Sequence, residues 1–261
     1  MNEIFNTQAC EAPTLMNKLV GCLLYADDLL ILSETKEGLQ KSLDNLHDYC
    51  NTWKLQLNVK KTNVVIFASR QPKKTCDFRF GTNNITIVKS YKYLGVKFTD
   101  NGYFTEAVTS LKERGNKAMF AMSRSFYTGI TFNPALPLKV FDSTIRPIIT
   151  YASEVWSCQY TNLISKPSKI DKAPFEQVST RFCKYVMGLP RQVTNFGVKA
   201  ELGRKPIFAH ICSQVLRYWV RLVNLEEDRL LKHAYLSEMT HNSHPTSWTN
   251  LVIKILEIID A

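Results

Sequence analysis

The chain has 261 residues, of which 45% are hydrophobic and 21% charged, so it is long and apolar enough to form a folded core. It has no run of about 18 apolar residues, and its first residues (MNEIFNTQAC) lack the apolar segment of a signal peptide. Seven cysteines are scattered without a Cys-x-x-Cys pair, a pattern typical of reduced thiols in an intracellular protein, whether nuclear or cytoplasmic.

Two adjacent aspartates interrupt the first apolar stretch of the chain. Residues 18–26 (KLVGCLLYA) predict a strand buried on both faces, and residues 29–33 (LLILS) predict the strand that returns beside it. Asp27 and Asp28 therefore fall at a tight hairpin turn. Such carboxylates either lie in an exposed turn or meet a positively charged partner, because an unpaired buried carboxylate is costly.

An amphipathic helix is predicted next, over residues 35–54. Ser33 or Thr35 can cap its N-terminus. Its apolar residues recur at spacings of three and four: Leu39, Leu43, Leu46, Cys50 and Trp53. Residues 63–68 (NVVIFA) then predict another strand, so the order is strand, Asp-Asp turn, strand, helix, strand.

Short strands and then helices follow. Residues 78–80 (FRF) and 85–88 (ITIV) predict a hairpin, and residues 91–99 (YKYLGVKFT) alternate in the manner of a strand. From Thr105 the spacing is helical, with further helical patterns around residues 134–157, 170–188, 206–224 and 247–259, and a loop over residues 160–174. The sequence predicts an α+β segment to residue 104 and an all-helical segment after it.

The positive charge is concentrated in one stretch. Residues 54–97 contain ten Lys or Arg residues and one acidic residue, Asp77, and so hold nine of the ten net positive charges. A solvated surface that aids solubility would explain this. The concentration favours a site that faces a polyanion, since clustered cations gain affinity by releasing phosphate counterions.

The aspartate pair has a structural and a chemical interpretation. Aspartate is common in hairpin turns, where its side chain bonds to nearby backbone. The chemical interpretation is favoured by three features: the apolar flanking strands, the helix directly after them and the basic stretch downstream. Two carboxylates beside a basic groove suit a divalent cation that acts on phosphate groups.

Three motifs in this order resemble reverse transcriptases of non-LTR, LINE-like retrotransposons. LLYADDLLIL resembles the YADD metal-binding hairpin, KLQLNVKKTNVVIF the segment after it, and SYKYLGVKF the hairpin that grips the primer terminus. IRPIITYASEVW and ELGRKP resemble the helical C-terminal region of the same proteins. The resemblance implies a partial polymerase palm (antiparallel sheet with packed helix) over 1–104, an all-helical thumb-like segment over 105–160 and a helical C-terminal extension over 161–261.

The resemblance also implies roles for single residues. Asp27 and Asp28 would ligate Mg²⁺ or Mn²⁺, and Lys61 would approach the leaving pyrophosphate as acid or electrostatic stabiliser. The substrates would be an RNA template, a DNA primer and deoxynucleotides, with no role for a membrane. Residues implied to contact nucleic acid are Tyr25, Lys60, Lys73, Lys74, Lys92, Tyr93, Leu94, Gly95, Lys112 and Lys117.

Only 24 residues precede Tyr25, whereas the family places its fingers subdomain and another metal-binding aspartate before this hairpin. The expectation is therefore a C-terminal fragment of the parent enzyme that has no polymerase activity alone. A non-catalytic nucleic-acid-binding module and a retroelement relic are the alternatives. A zinc site is a fourth option, from His210, Cys212, His241 and His244.

Overall fold

The computed structural model describes residues 11–68, 77–126, 134–240 and 245–259, without the side chains of residues 123–126. These residues form two compact units. The first holds the described residues up to Tyr93, together with Phe98–Gly102 and Glu227–Ser237. The second holds Leu94–Lys97, Tyr103–Glu226 and the described residues from Glu238 onward.

Within the described ranges, the strands all lie before residue 100 and form small sheets. Three sheets are two-stranded (β1–β2, β3–β4 and β8–β9), and the fourth has the order β5-β7-β6, with β5 parallel and β6 antiparallel to β7. The bounds are β1 Thr14–Leu15, β2 Lys18–Leu19, β3 Cys22–Tyr25, β4 Asp28–Ile31, β5 Asn63–Val64, β6 Phe78–Phe80, β7 Asn83–Ile87, β8 Ser90–Tyr93 and β9 Val96–Thr99. Helices follow these sheets, so the predicted α+β class is confirmed.

The predicted first helix is confirmed as α1, Lys36–Trp53. Thr35 is its N-cap, and the Thr35 hydroxyl accepts a hydrogen bond from the Gly38 amide at 3.0 Å, which satisfies one of the open amides of the first turn. One face of the helix packs on the small sheets and forms the core of the first unit. The buried residues of that core are Leu43, Leu46, Cys50, Val64, Phe78, Phe80 and Ile85.

Three details of the first unit differ from the prediction. The run KLVGCLLYA is not one strand, because Val20 and Gly21 separate β2 from β3. Strand β2 pairs instead with β1, across a turn at Met16 and Asn17 whose φ angles of 46° and 67° fit type I′. Trp53 is 65% exposed, since helix α1 ends there and Lys54 adopts the left-handed conformation (φ 57°). The strand predicted over 63–68 is limited to Asn63–Val64.

Beyond residue 104 the described residues are mainly helical, as predicted. The helices Asn195–Glu201 and Leu230–Thr240 lie outside the helical patterns found in the sequence. A π-helical turn covers Phe141–Ile145, and 3₁₀ turns cover Val59–Lys61, Ser157–Tyr160 and Pro167–Lys172. The helices are α2 Thr105–Phe126, α3 Ala135–Val140, α4 Arg146–Ile149, α5 Ser153–Trp156, α6 Asn162–Ser165, α7 Pro174–Val186, α8 Asn195–Glu201, α9 Ile207–Val223, α10 Leu230–Thr240 and α11 Trp248–Ile259.

The second unit has the larger core, contributed mainly by α2, α4, α7, α9 and α11. Its largest fully buried side chains are Trp156, Phe141, Phe175, Phe182, Ile145, Ile149, Ile211 and Leu251. Gly115 lets α2 approach α4 closely, because a Cβ atom there would lie 2.4 Å from the Ile149 Cγ2 atom. The loop predicted over 160–174 is wrong, since this segment forms short helical turns and buries Leu163 and Ala173 in the same core.

Buried charges of the second unit are paired. The Glu176 side chain is fully buried and accepts hydrogen bonds from the Lys199 ammonium at 2.9 Å and from the Phe208 amide at 2.8 Å, at the start of α9. Arg204 binds both carboxylate oxygens of Asp142, at 2.6 and 2.7 Å. These pairs meet the requirement that charges removed from water be bonded.

The described helices include none that is long and apolar enough to cross a lipid bilayer. No disulfide bond joins the cysteines within the described ranges, which are Cys22, Cys50, Cys158, Cys183 and Cys212.

Candidate functional site

The Asp27–Asp28 pair lies at the tip of a hairpin, as predicted. Strands β3 and β4 pair antiparallel in a register that places Tyr25 opposite Asp28. The turn therefore consists of Ala26 and Asp27, and Asp28 is the first residue of β4. Ala26 has a φ of 53°, in the left-handed region that tight turns require.

The tip of this hairpin is exposed, so the strand predicted to be buried on both faces is not. Leu24 is 45% and Tyr25 63% exposed, and both aspartates are exposed. Behind the tip, one face of the hairpin packs on the core of the first unit, through Cys22, Leu29 and Ile31. The apolar residues around the aspartates thus form an accessible surface, and the carboxylates stay in water without a desolvation cost.

The chemistry of the two side chains fits a hard divalent cation. Mg²⁺ and Mn²⁺ bind carboxylate oxygens and complete their coordination with water and substrate phosphates, so two carboxylates on one turn are a suitable protein contribution. Within the described ranges, no group of three or more His, Cys, Asp or Glu side chains is arranged to hold a metal ion. A cation held by Asp27 and Asp28 would therefore need its further oxygen ligands from solvent or from a substrate.

Lys61 ends a 3₁₀ turn, Val59–Lys61, and its side chain is exposed, as is that of Lys60. Its backbone carbonyl accepts hydrogen bonds from the Tyr91 hydroxyl and the Asn63 side-chain amide, both at 3.2 Å. These bonds fix the backbone and leave the ammonium group available. Among the residues that the structure describes, no hydrogen bond or ion pair joins Lys61 to the aspartates.

A second hairpin contains the predicted primer-contacting residues Tyr93, Leu94 and Gly95. The alternation of residues 91–99 does not continue as one strand, because Leu94 and Gly95 form the turn between β8 and β9. Their φ angles of 46° and 83° match a type I′ turn. Glycine adopts this conformation freely, whereas Leu94 is strained by about 1–2 kcal/mol.

The hairpin tip is accessible to a ligand. Lys92 is exposed, Leu94 is 40% exposed, and Tyr93 is half-buried. A strained, exposed leucine at a turn is the kind of backbone feature that proteins keep at binding sites.

The remaining predicted contacts differ in availability. Lys117 is exposed on α2, whereas the half-buried Lys112 donates to the Gln177 side-chain carbonyl at 2.6 Å. Lys73 and Lys74 lie outside the described residues. The sequence did not indicate Tyr91, because its bond to Lys61 joins residues 30 positions apart and has no local pattern.

Two members of the possible zinc site are described, His210 and Cys212, both on α9. Burial raises the pKa of the Cys212 thiol to about 11, and residues two positions apart on a helix do not face each other. His241 and His244 lie outside the described residues. The described geometry therefore gives no support to a zinc site.

Comparison with known proteins agrees with the motifs. Residues 1–98 match the family model described as reverse transcriptase (RNA-dependent DNA polymerase). The chain is 26% identical over 138 residues to a putative 115 kDa protein in type-1 retrotransposable element R1DM of Drosophila melanogaster. It is 35% identical over 95 residues to the retrovirus-related Pol polyprotein from type-2 retrotransposable element R2DM of the same organism. A transposon-derived protein of Caenorhabditis elegans, F52C9.6, is 26% identical over 159 residues and carries the description putative and uncharacterized.

The R1DM match covers 51% of this chain and 13% of the relative, and the R2DM match covers 33% and 9%. The match to F52C9.6 covers 59% of this chain and 54% of the relative. The chain therefore spans a small part to about half of the curated proteins that it matches. No solved structure is significantly similar to it. The matched residues contain the Asp27–Asp28 hairpin, so the family match and the relatives from retrotransposable elements support the resemblance to reverse transcriptases of non-LTR, LINE-like retrotransposons.

Proposed function

We propose that the chain is part of an RNA-directed DNA polymerase and that Asp27 and Asp28 bind Mg²⁺ or Mn²⁺ beside the end of a DNA primer. One observation carries the proposal. Two adjacent carboxylates occupy the exposed tip of a tight hairpin, inside the 98 residues that match the reverse transcriptase family. An exposed carboxylate pair can bind a cation and present it to phosphate oxygens without structural change.

A bound divalent ion would stabilise the charge that develops on phosphate oxygens during nucleotidyl transfer. Asp27 and Asp28 would hold that ion. The exposed Lys61 would place its ammonium near the leaving pyrophosphate, on a backbone fixed through Tyr91. The Leu94–Gly95 turn would support the primer 3′ end.

The nucleic-acid partner would be a hybrid of RNA template and DNA primer. Lys60, Lys61 and Lys92 are exposed in the most basic stretch of the chain, and Lys117 is exposed on α2. Contacts of this kind are made to phosphates and are independent of sequence. Lys73, Lys74 and Lys112 complete the proposed set, and Lys112 would exchange its bond to Gln177 for a phosphate.

The test is metal-dependent binding of a primer–template hybrid. We expect Mn²⁺ to strengthen binding of the unmodified chain, measured by fluorescence anisotropy at fixed ionic strength. The variants Asp27→Asn and Asp28→Asn should lose this enhancement and keep the metal-independent affinity. Asp77→Asn is the matched control, because it removes one exposed carboxylate elsewhere in the first unit. Equal enhancement in all variants would contradict the proposal.

A second candidate function is a nucleic-acid-binding module without catalysis. The exposed lysines favour it, since they would bind phosphates whether or not a metal is held. This module would bind with strong salt dependence and be indifferent to Asp27→Asn. We also predict that the 261-residue polypeptide alone does not copy a template. Templated extension of a primer by the purified chain with Mg²⁺ would contradict this prediction.

A further inference from the structure

Tyr151 contacts the turn of the second hairpin from a position far along the chain. Its hydroxyl donates a hydrogen bond to the Leu94 carbonyl at 2.9 Å. Both residues belong to the second unit, and Tyr151 lies outside residues 1–98. The tyrosine thus bonds to the one strained non-glycine residue of the turn, whose φ is 46°.

The ring of Tyr151 also explains the glycine of this turn. A Cβ atom at Gly95 would lie 2.9 Å from the Tyr151 Cε1 atom and 3.1 Å from its hydroxyl oxygen. The φ of 83° at Gly95 already disfavours any other residue. The tyrosine therefore covers the backbone of the turn and leaves no room for a side chain there.

Tyr151 is itself held from the core. The Trp156 indole nitrogen donates to the Tyr151 carbonyl at 2.8 Å, and Trp156 is fully buried against Phe175. The Tyr151 side chain remains 46% exposed and Leu94 40% exposed. The backbone of Tyr151 is thus held by the buried core. Its side chain and that of Leu94 remain accessible to a ligand.

We infer that Tyr151 is a positioning residue for the primer terminus: its hydroxyl and ring fix the Leu94–Gly95 turn in the conformation that supports the primer 3′ end. This inference rests on the proposed function, in which the turn contacts the primer. Tyr151 acts through the turn and takes no part in the chemistry. Residues 94 and 151 are 57 positions apart, so the primer-supporting turn depends on a segment beyond the family match.

The variant Tyr151→Phe tests the hydroxyl while keeping the ring. The readout is fluorescence of 2-aminopurine at the 3′ end of the primer in an RNA–DNA hybrid, compared with the same base in the interior. We expect the unmodified chain to change the terminal signal, and Tyr151→Phe to require about fivefold more protein for the same change, the size expected for one hydrogen bond. Affinity for the interior of the hybrid should be unchanged.

Tyr103→Phe is the control, because it removes the hydroxyl of another exposed tyrosine of the second unit. Tyr151→Ala removes ring and hydroxyl together and should weaken the terminal signal further, with the melting curve reporting whether the variant is folded. A terminal signal in Tyr151→Phe equal to that of the unmodified chain would overturn the inference alone. Absence of any terminal signal in the unmodified chain would overturn the proposed primer contact and the inference with it.

Discussion

The side-chain amide of Gln40 hydrogen-bonds to both backbone groups of Arg79. Its nitrogen donates to the Arg79 carbonyl at 2.9 Å, and its oxygen accepts from the Arg79 amide at 3.0 Å. Arg79 lies in β6, an outer strand of the sheet β5-β7-β6. Helix α1 thus provides, through one glutamine, the pairing that a neighbouring strand would give to this edge.

We predict that Gln40→Ala lowers the free energy of unfolding by about 1–3 kcal/mol, because two backbone groups lose their bonds. Urea denaturation followed by circular dichroism measures the change. Lys41→Ala is the control, since Lys41 is exposed on the same helix, and it should shift stability by about 0.5 kcal/mol or less. Equal effects of the two variants would show that the Gln40 bonds do not stabilise the edge.

Gly115→Ala should destabilise the second unit, although alanine normally favours a helix. The new Cβ atom would lie 2.4 Å from the Ile149 Cγ2 atom, so α2 and α4 would have to separate, at a cost of about 1–3 kcal/mol. The double variant Gly115→Ala/Ile149→Ala should show a favourable coupling energy, because the second change removes the clashing methyl group. Strictly additive effects would contradict this account.

The Asp142–Arg204 pair predicts a dependence of stability on pH. Burial raises the pKa of Asp142, but the bonds and charge of Arg204 and the charge of Arg146 outweigh burial and hold the pKa below its usual value. A carboxyl with a lowered folded-state pKa stabilises the fold above its unfolded value of about 3.9, and the contribution is lost as the pH falls through the folded-state pKa.

Asp142→Asn should therefore cost about 1–3 kcal/mol at pH 7, where the unmodified chain has a charged pair. The difference between the two proteins should shrink below about pH 4, because the aspartate becomes protonated. Urea denaturation at a series of pH values measures it. A difference that stays constant from pH 7 to about pH 3 would contradict an ionic contribution.

Binding to a hybrid should depend strongly on salt. Each lysine that contacts a phosphate adds about 0.7–0.9 to the slope of log affinity against log salt concentration. We expect Lys60→Gln and Lys92→Gln each to reduce the slope by this amount. Lys41→Gln is the control, because Lys41 is an exposed lysine outside the basic stretch, and it should leave the slope unchanged. An equal reduction of the slope in Lys41→Gln would mean that binding reflects net charge alone.

Local sequence patterns predicted the elements that are determined by interactions between residues close together in the chain. The spacing of Leu43, Leu46 and Cys50 and the cap at Thr35 give helix α1, and the turn between two apolar runs places the Asp27–Asp28 pair. The exposure of Leu24 was missed, because an apolar run looks the same whether it is buried or open to a ligand.

Contacts between distant residues left no signal in the sequence. Gln40 and Arg79 are 39 positions apart and Tyr151 and Leu94 are 57 apart, and none of these residues stands in a pattern that names its partner. The division of KLVGCLLYA at Val20 and Gly21 also escaped prediction. So did the β1–β2 hairpin, because Met16 and Asn17 form a positive-φ turn without the glycine that usually indicates one.

The central claim is that Asp27 and Asp28 bind a divalent cation, and cleavage of the chain by a bound iron ion tests it most directly. With Fe²⁺ in place of Mg²⁺, hydroxyl radicals generated in the presence of the hybrid cut the polypeptide beside the ion. We expect cuts within a few residues of the Asp27–Asp28 turn, suppressed by excess Mg²⁺ and absent in Asp27→Asn. Cuts that spare this hairpin, or that persist unchanged in Asp27→Asn, would contradict the account.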